Sequence, residues 1–407
     1  MATEEKKIAY VGKERPAGIF NRVIKANGAL LCPAFCNAHT HAAMTIFRGY
    51  GEDLPLSRWL EERIFPAEDR LTGEAVLLAS RMAAAEMIAG GTVSFSDMYF
   101  FCDETARAVA ESGMKANLSR SLVSFSDDIR PEQDPRFREA LALFSEWNQA
   151  CDGRIRVDFS LHAEYTNRGS AVRWVAEQAA RLGARVQIHL SETEKEHRES
   201  IARHGVTPTG FFLQNGLFDV PVCCAHGVWL TDEDRAILAA HGAGVVHNPV
   251  SNLKLGSGIM PLRKTMDAGV LVALGTDGAA SNNRLDVLRE MQTALLLQKG
   301  VSRDPSSVTA AEGIALLSEN GFRLQGREES GRIEPGFCAD LCLVRADTLH
   351  ALPDDCPETL LAYSASAADV ALTMADGRIL YENGVFTTLD EEKLKYEFRK
   401  MREHYFD

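Results

Sequence analysis

Short apolar runs recur along the chain, and longer stretches with apolar residues at helical spacing separate them. The runs predict eight buried strands, at residues 33–41, 92–98, 115–123, 155–163, 185–191, 220–228, 244–250 and 271–278. The predicted helices run from the N-cap Thr72 to Gly90 and over residues 102–112, 171–182, 231–240, 260–267 and 285–298. Strands that alternate with helices in this way are typical of a parallel barrel. The sequence therefore predicts an α/β chain with a (β/α)8 TIM barrel.

The two ends of the chain follow a different pattern. Residues 8–31 predict short strands, and the tail after residue 322 is strand-rich, with hairpin turns at Asp376-Gly377 and Asn383-Gly384. We expect strands from both termini to pair in a small β-sandwich-like domain. The predicted division is a barrel, this small β-domain and a C-terminal helix, over residues 32–320, 1–31 with 321–390, and 391–407.

Composition and charge narrow the class of partner. The 407 residues are 45% hydrophobic and 25% charged, which is usual for a globular protein. A formal charge of −13 argues against a nucleic-acid or anionic-membrane surface. We therefore expect a small-molecule partner, with no nucleic acid and no membrane.

The cysteines and the N-terminal segment indicate a compartment. The first seven residues are charged and no apolar signal core follows them, and no apolar stretch reaches transmembrane length. Nine cysteines, an odd number, are typical of reduced thiols rather than of a disulfide framework. These features predict a cytoplasmic protein.

The first predicted strand ends in two histidines one residue apart, His39 and His41. Side chains at i and i+2 of a strand point the same way, so both imidazoles face one point. Two neutral imidazoles suit zinc or a similar divalent ion. A His-x-His pair alone is more often surface decoration or a hydrogen-bonded core feature.

Other strand ends carry further polar residues, and in a (β/α)8 barrel the active site lies at those ends. They are His162, His189 followed by Glu192, His226, His247-Asn248 and Asp277. Each alone has an ordinary structural interpretation. A lone histidine at a strand end can be a hydrogen-bonded structural residue, and an Asp before Gly, as in Asp277-Gly278, is a common turn former. Their joint placement is better explained by a metal site.

Three imidazoles and the Asp277 carboxylate leave room for a water on a catalytic ion. Such an ion lowers the pKa of that water from about 15.7 to roughly 7. Asp277 can accept the water's proton, Glu192 can carry it to the leaving group, and His226 can stabilise the oxyanion. No lysine ends the third or fourth strand to bridge a second ion, so one metal is expected. Zinc, iron and manganese all suit these ligands.

These motifs together resemble the amidohydrolase superfamily. The matching stretches are His39-Thr40-His41, His189-Leu190-Ser191-Glu192, Cys224-Ala225-His226 and Leu274-Gly275-Thr276-Asp277-Gly278. Residues 247–256 and 275–283 are more specifically similar to the 5′-methylthioadenosine/S-adenosylhomocysteine deaminases and their relatives among amino-heterocycle hydrolases. The likeness covers most of the chain.

The resemblance implies roles for individual residues. The implied metal ligands are His39, His41, His189 and Asp277, with Glu192 and His226 handling protons at the ring that is attacked. In the same family a segment like that of Trp59 and Glu68 holds the nucleoside, His162 matches a purine contact, and Arg120 matches a substrate-end arginine. The loop of residues 124–136 lacks a clear match to the family's second arginine. The resemblance also favours a homo-oligomer.

Three functions fit this sequence to different degrees. The first is hydrolytic deamination of an adenosine-type nucleoside such as S-adenosylhomocysteine, 5′-methylthioadenosine or adenosine. The alternative is an aminohydrolase or chlorohydrolase for another heterocycle, such as guanine, a pterin or a triazine. A non-catalytic scaffold on the same barrel is disfavoured because the whole set of site residues is intact.

Overall fold

The computed structural model describes residues 1–353 and 355–406. Its centre is the predicted α/β barrel of parallel strands, and a separate antiparallel sheet is built from the termini. The strands are β1 Ala2–Glu4, β2 Lys7–Tyr10, β3 Leu30–Pro33, β4 Phe35–Thr40, β5 Thr92–Tyr99, β6 Lys115–Leu122, β7 Ile155–Val157, β8 Phe159–Leu161, β9 Val186–Leu190, β10 Val222–His226, β11 Gly244–His247, β12 Val272–Leu274, β13 Leu341–Val344, β14 Val370–Ala375, β15 Arg378–Glu382 and β16 Val385–Phe386.

The barrel strands follow one another in chain order from β4 to β12, with the fourth strand divided into β7 and β8. The first and last strands meet through hydrogen bonds at their carboxyl ends. The backbone N–H of Asp277 donates to the carbonyl of His39 at 3.0 Å, and that of Thr276 donates to Oδ1 of Asn37 at 3.0 Å. The barrel thus closes beside the predicted metal ligands.

Helices cover the outside of the barrel, so the strands are buried on both faces. Helices of six or more residues are α1 Gly73–Ala89, α2 Cys102–Ser112, α3 Pro135–Trp147, α4 Gly169–Leu182, α5 Glu194–His204, α6 Pro208–Gln214, α7 Asp232–Ala240, α8 Pro249–Lys254, α9 Leu262–Asp267, α10 Val287–Ser302, α11 Ala310–Leu317, α12 Glu319–Leu324 and α13 Glu391–Phe406. Within the described ranges, none of the helices has both the length and the apolar character needed to cross a bilayer.

The small sheet has the order β16-β15-β14-β13-β3 and is antiparallel. Its two predicted hairpin turns are present. Asp376 and Gly377 have φ of 46° and 74°, and Asn383 and Gly384 have φ of 47° and 89°. Positive φ at both central residues suits the right-handed twist of the paired strands.

The expectation of strands throughout residues 8–31 is wrong. Only β2 and β3 form there, and residues 11–29, all of them described, contain no strand. β3 has a partner in β13, but the intervening segment lies on the surface with Ile19 fully exposed.

A buried ionic cluster connects the barrel to the small sheet. The ammonium of Lys115, in β6, lies 2.6 Å from the carboxylate of Asp340 and 2.7 Å from that of Asp376. Asp340 is fully buried and also accepts hydrogen bonds from Ser330 and from the backbone of Asp376. Every charge in the cluster therefore has a partner.

The C-terminal helix α13 packs against α1 and against the segment that follows the first barrel strand. Arg402 donates to the carbonyls of Ile46 at 3.1 Å and Arg48 at 3.0 Å. Asp407, the last residue of the predicted helix, and Asp354 lie outside the described residues. The bounds given above for the three domains stay predictions.

Candidate active site

Four of the predicted side chains meet at the carboxyl end of the barrel. The Nε2 atoms of His39 and His41 lie 3.6 Å and 3.2 Å from Oδ1 of Asp277, and Nε2 of His189 lies 3.3 Å from Nε2 of His41. All four are largely buried. Three different strands therefore deliver three nitrogens and one oxygen to one point.

Backbone carbonyls fix the orientation of two of these imidazoles. Nδ1 of His41 lies 2.6 Å from the carbonyl of Met98, and Nδ1 of His189 lies 2.7 Å from the carbonyl of His162. A carbonyl only accepts, so each Nδ1 carries a hydrogen and each Nε2 faces the cluster. This arrangement is common for histidines that bind a metal.

Two hydroxyls hold the other half of the Asp277 carboxylate. Ser251 and Ser281 donate to Oδ2 at 2.6 Å and 2.8 Å, which leaves Oδ1 facing the histidines. Asp277 itself has a φ of 61°, in the left-handed region that non-glycine residues rarely adopt. Strained backbone of this kind concentrates at functional sites.

The donor set fits a divalent cation. Nε2 of His39 is buried and has no hydrogen-bond partner among the described residues. Its ligand atom lies within 4.8 Å of those of His41 and Asp277, and an overlapping group joins His39 to His189 and His226. Unpaired buried lone pairs beside a carboxylate are costly unless a cation binds them. The residues present therefore suit the metal that the sequence predicted, and His226 stands close enough to be a further ligand.

Charges within the cluster shift the protonation of its members. Burial lowers the pKa of His39 to about 4 and that of His189 well below its usual value, so both are neutral. Burial also acts to lower the pKa of His41, but the hydrogen bond and charge of Asp277 outweigh it and raise the pKa to about 9. The carboxylate of Asp277 therefore favours positive charge at this point of the cluster.

Glu192 and His226 lie beside this cluster. Oε2 of Glu192 is 3.8 Å from Nε2 of His226, and its Oε1 accepts a hydrogen bond from Ser257 at 3.3 Å. Nδ1 of His226 lies 2.8 Å from Oδ1 of Asn252, which leaves Nε2 facing the cavity. Burial raises the pKa of the Glu192 carboxyl above its usual value.

A buried carboxylate that the sequence analysis missed positions Glu192. Glu196 accepts the backbone N–H groups of Ser191 at 3.0 Å and of Glu192 at 2.7 Å. Thr193 caps α5 by accepting the N–H of Glu196 at 3.1 Å. The Thr-x-x-Glu spacing is a helix-start signal that could have revealed this turn.

The cluster forms the floor of a cavity of about 460 Å³ with mainly apolar walls. Trp59, Glu68, Arg120 and His162, the predicted substrate-binding residues, all line it. Further lining comes from Leu60, Phe65, Phe100, Phe125 and Tyr165. A cavity of this size, with mainly apolar walls and a few polar groups, suits a small molecule.

The four predicted substrate-binding residues have different surroundings. Trp59 is buried, and Oε1 of Glu68 accepts the Tyr99 hydroxyl at 2.6 Å. Burial raises the pKa of Glu68 to about 7 and lowers that of His162 to about 4. Arg120 pairs with a glutamate outside the cavity.

The second strand contributes two residues that the sequence analysis overlooked. Asp97 accepts the N–H of Ala42 at 2.6 Å and is buried beside the first histidines, and Tyr99 lines the cavity and bonds Glu68. Both lie at the carboxyl end of β5. The strand-end rule that found the histidines could have found them too.

Comparison with known proteins gives this geometry a family. Residues 30–380 match the Amidohydrolase family. A 5-methylthioadenosine/S-adenosylhomocysteine deaminase from Dictyoglomus thermophilum is 44% identical over 378 residues, which is 93% of this chain and 88% of the relative. A 5'-deoxyadenosine deaminase from Methanobrevibacter smithii is 39% identical over 399 residues, 97% of this chain and 91% of the relative.

Solved structures agree with the sequence relatives. An adenosine deaminase from Xanthomonas campestris with bound zinc superimposes with a TM-score of 0.88 at 33% identity, covering 93% of this chain and 86% of the other. The resemblance inferred from the motifs is thereby confirmed. The chain belongs to the amidohydrolase family.

Proposed function

We propose that the protein is a metal-dependent hydrolase that releases ammonia from an adenosine-type nucleoside, such as S-adenosylhomocysteine, 5′-methylthioadenosine or adenosine. One observation carries the proposal. The cluster of His39, His41, His189 and Asp277 lies on the floor of an apolar cavity whose wall holds a second, separate carboxylate at Glu68. A hydrolytic centre and a site for sugar hydroxyls thus share one pocket.

The proposed cofactor is one divalent metal ion, held by His39, His41, His189 and Asp277. Such an ion supplies a coordinated water whose pKa falls to roughly 7. Zinc is the proposed metal, because imidazole and carboxylate ligands suit it and because a related adenosine deaminase binds it. Iron and manganese accept the same ligands.

The residues around the cluster handle the protons of the proposed reaction. Water adds to the ring carbon that bears the amino group, the C–N bond breaks, and the products are ammonia and a ring carbonyl. Asp277 takes a proton from the water, and Glu192 protonates the adjacent ring nitrogen. The added hydroxyl then loses its proton, which Glu192 carries to the leaving amine, and the proton held by Asp277 returns Glu192 to its starting state. His226, whose Nε2 lies 3.8 Å from Glu192, stabilises charge on the attacking oxygen when Nε2 carries a hydrogen.

The proposed nucleoside pose uses the cavity wall. One oxygen of Glu68 is already taken by Tyr99, so the other is available to the two ribose hydroxyls. Trp59 closes the apolar wall against the nucleoside, and His162 faces the base. Arg120 lies at the remaining end of the substrate.

The free cysteines and the charge support a proposed setting for this activity. All nine cysteines lie within the described residues and are free thiols, which suits the reducing cytoplasm. The formal charge of −13 supports the absence of nucleic-acid partners. A homo-oligomer stays a prediction that size-exclusion chromatography with light scattering will test.

The test is ammonia release by zinc-loaded protein from adenosine, 5′-methylthioadenosine and S-adenosylhomocysteine, run beside guanine, a pterin and a triazine. Turnover of any nucleoside, with kcat lowered by about 10²–10⁴ in Glu192→Gln, is the expected result. Activity on a free base or a triazine alone would keep the metal centre and reject the nucleoside. No ammonia from any of the six would refute the proposed function.

A further inference from the structure

Arg120 lies at the end of the cavity that meets solvent. Its side chain is 13% exposed and lines the cavity, and its guanidinium carbon lies 4.9 Å from the centre of the Phe100 ring. Phe101 and Phe125 line the same cavity and are 45% and 67% exposed. The cavity lining therefore combines one cation, which packs on the Phe100 ring, with two further aromatic rings that reach solvent.

The charge of this arginine is already neutralised by the protein. Nε of Arg120 donates to Oε2 of Glu139 at 2.6 Å, and Nη1 donates to the backbone carbonyl of Ser121. Glu139 lies on α3, outside the cavity lining, with a half-exposed side chain. The guanidinium thus already has a carboxylate and a carbonyl of the protein as hydrogen-bond partners.

The arginines of the neighbouring loop, residues 124–136, are also paired with carboxylates of the protein. Arg130 pairs with Asp128 at 3.3 Å, and Arg136 pairs with Asp134 at 2.5 Å. Both arginines line a second cavity that adjoins the first through Phe125. Arg120, Arg130 and Arg136 therefore each have a carboxylate of the same chain beside them.

We propose that Glu139 makes the enzyme selective for nucleosides whose 5′ substituent is uncharged, such as a hydroxyl, a hydrogen or a methylthio group. The inference rests on the proposed function, in which the base lies at the metal cluster and the ribose at Glu68, so that the 5′ substituent points to Arg120. A substrate carboxylate there would exchange one carboxylate partner of Arg120 for another and gain little. An uncharged substituent gains apolar contact with the rings of Phe100, Phe101 and Phe125.

Glu139 is a positioning residue in this account, because it acts through Arg120 and touches no substrate. Its removal should make the arginine available to a carboxylate. A charge-assisted hydrogen bond that forms only then is worth about tenfold or more in binding. The effect should appear in KM for carboxylate substrates and leave kcat little changed.

The experiment compares kcat/KM for S-adenosylhomocysteine, its carboxyl methyl ester and 5′-methylthioadenosine. The acid and the ester differ only in the carboxylate charge, so their ratio isolates the contribution of Arg120. In the unmodified enzyme we expect a ratio near one, with 5′-methylthioadenosine the better substrate. In Glu139→Ala the acid-to-ester ratio should rise about tenfold.

Two further variants make the result specific. Glu111→Ala breaks an exposed pair with Arg81, which has a similar 2.7 Å contact outside the cavity lining, and should leave every ratio unchanged. Arg120→Met combined with Glu139→Ala should remove the gain.

The outcomes separate the two proposals. A strong preference of the unmodified enzyme for the acid over the ester, or an unchanged ratio in Glu139→Ala, would overturn the specificity inference while leaving deamination intact. Turnover of 5′-methylthioadenosine by each variant shows that it is folded. Absence of turnover of all three nucleosides by the unmodified enzyme would instead refute the proposed function.

Discussion

Replacing Lys115 by methionine should destabilise the fold without altering the site. The ammonium lies 2.6 Å from Asp340 and 2.7 Å from Asp376, and methionine fills a similar volume without the charge. The fully buried Asp340 would then be left without its cation. Removing one member of a buried ion pair costs about 3–5 kcal/mol, because the other charge stays desolvated.

The loss of free energy gives a shift in the melting temperature when it is divided by the unfolding entropy, which grows with the number of residues. With an unfolding entropy of about 2.1 cal/mol/K per residue, 407 residues give roughly 0.85 kcal/mol/K. A loss of about 3–5 kcal/mol therefore lowers Tm by roughly 4–6 °C. Differential scanning calorimetry of the two proteins at one metal concentration measures the shift, and kcat below the transition should not change.

The pH dependence follows from opposite pKa shifts in the pair. Burial opposes both charges, but the carboxylate of Asp340 keeps the pKa of Lys115 above its usual value, and Lys115 keeps that of Asp340 below its own. The Asp340 contribution is full above its unfolded pKa of about 3.9 and is lost as pH falls through the folded pKa. The Lys115 contribution is full below about pH 10.4 and is lost as pH rises through the folded pKa. The stabilisation should thus be constant between about pH 5 and 9.

Two variants test whether the effect comes from the unpaired charge. Lys393→Met breaks an exposed pair in α13, where the loss should stay below about 1 kcal/mol. Asp340→Asn added to Lys115→Met removes the stranded charge and should recover part of the lost Tm. If Lys115→Met melted within a degree of the unmodified protein, the cluster would not carry the stability assigned to it.

Three further predictions concern the site. Chelation of the metal should abolish ammonia release, and one equivalent of Zn²⁺ per chain should restore it; activity that survives complete metal loss would contradict the centre. Glu192→Gln should lower kcat by about 10²–10⁴ while the metal content stays the same, because only proton transfer is lost; metal analysis beside steady-state kinetics checks this. Glu68→Gln should raise KM for adenosine about tenfold or more but leave 2′,3′-dideoxyadenosine unaffected, and an equal effect on both would reject the ribose contact.

The sequence predicted the site better than the contacts that orient it. His39, His41, His189 and Asp277 end strands of a parallel barrel, and barrel geometry alone brings strand ends together. Ser251 and the carbonyl of Met98, which orient Asp277 and His41, come from other elements at distant sequence positions. Such pairs leave no local periodicity or spacing to detect.

The pattern of apolar residues also failed to predict some of the secondary structure. The helix α5 was not predicted, because its exposed face is charged and its buried positions include Glu196 and Ser200 rather than an apolar stripe. Conversely, the short apolar pieces within residues 11–29 suggested strands, but this exposed segment pairs with no sheet. Local sequence patterns do not predict secondary structure correctly where contacts with distant parts of the chain determine it.

The hydrogen bond from Asp277 to the carbonyl of His39 places the proposed ion at the seam where the first and last barrel strands meet. Ligands on both sides of that seam couple metal occupancy to barrel closure in a single equilibrium. At a free metal concentration of about 1,000 times Kd, this linkage stabilises the closed form by about 4 kcal/mol. The rate at which the ion dissociates then limits the rate at which the first and last strands separate. A chain cut before β12 loses the carboxylate ligand together with the strand that completes the barrel.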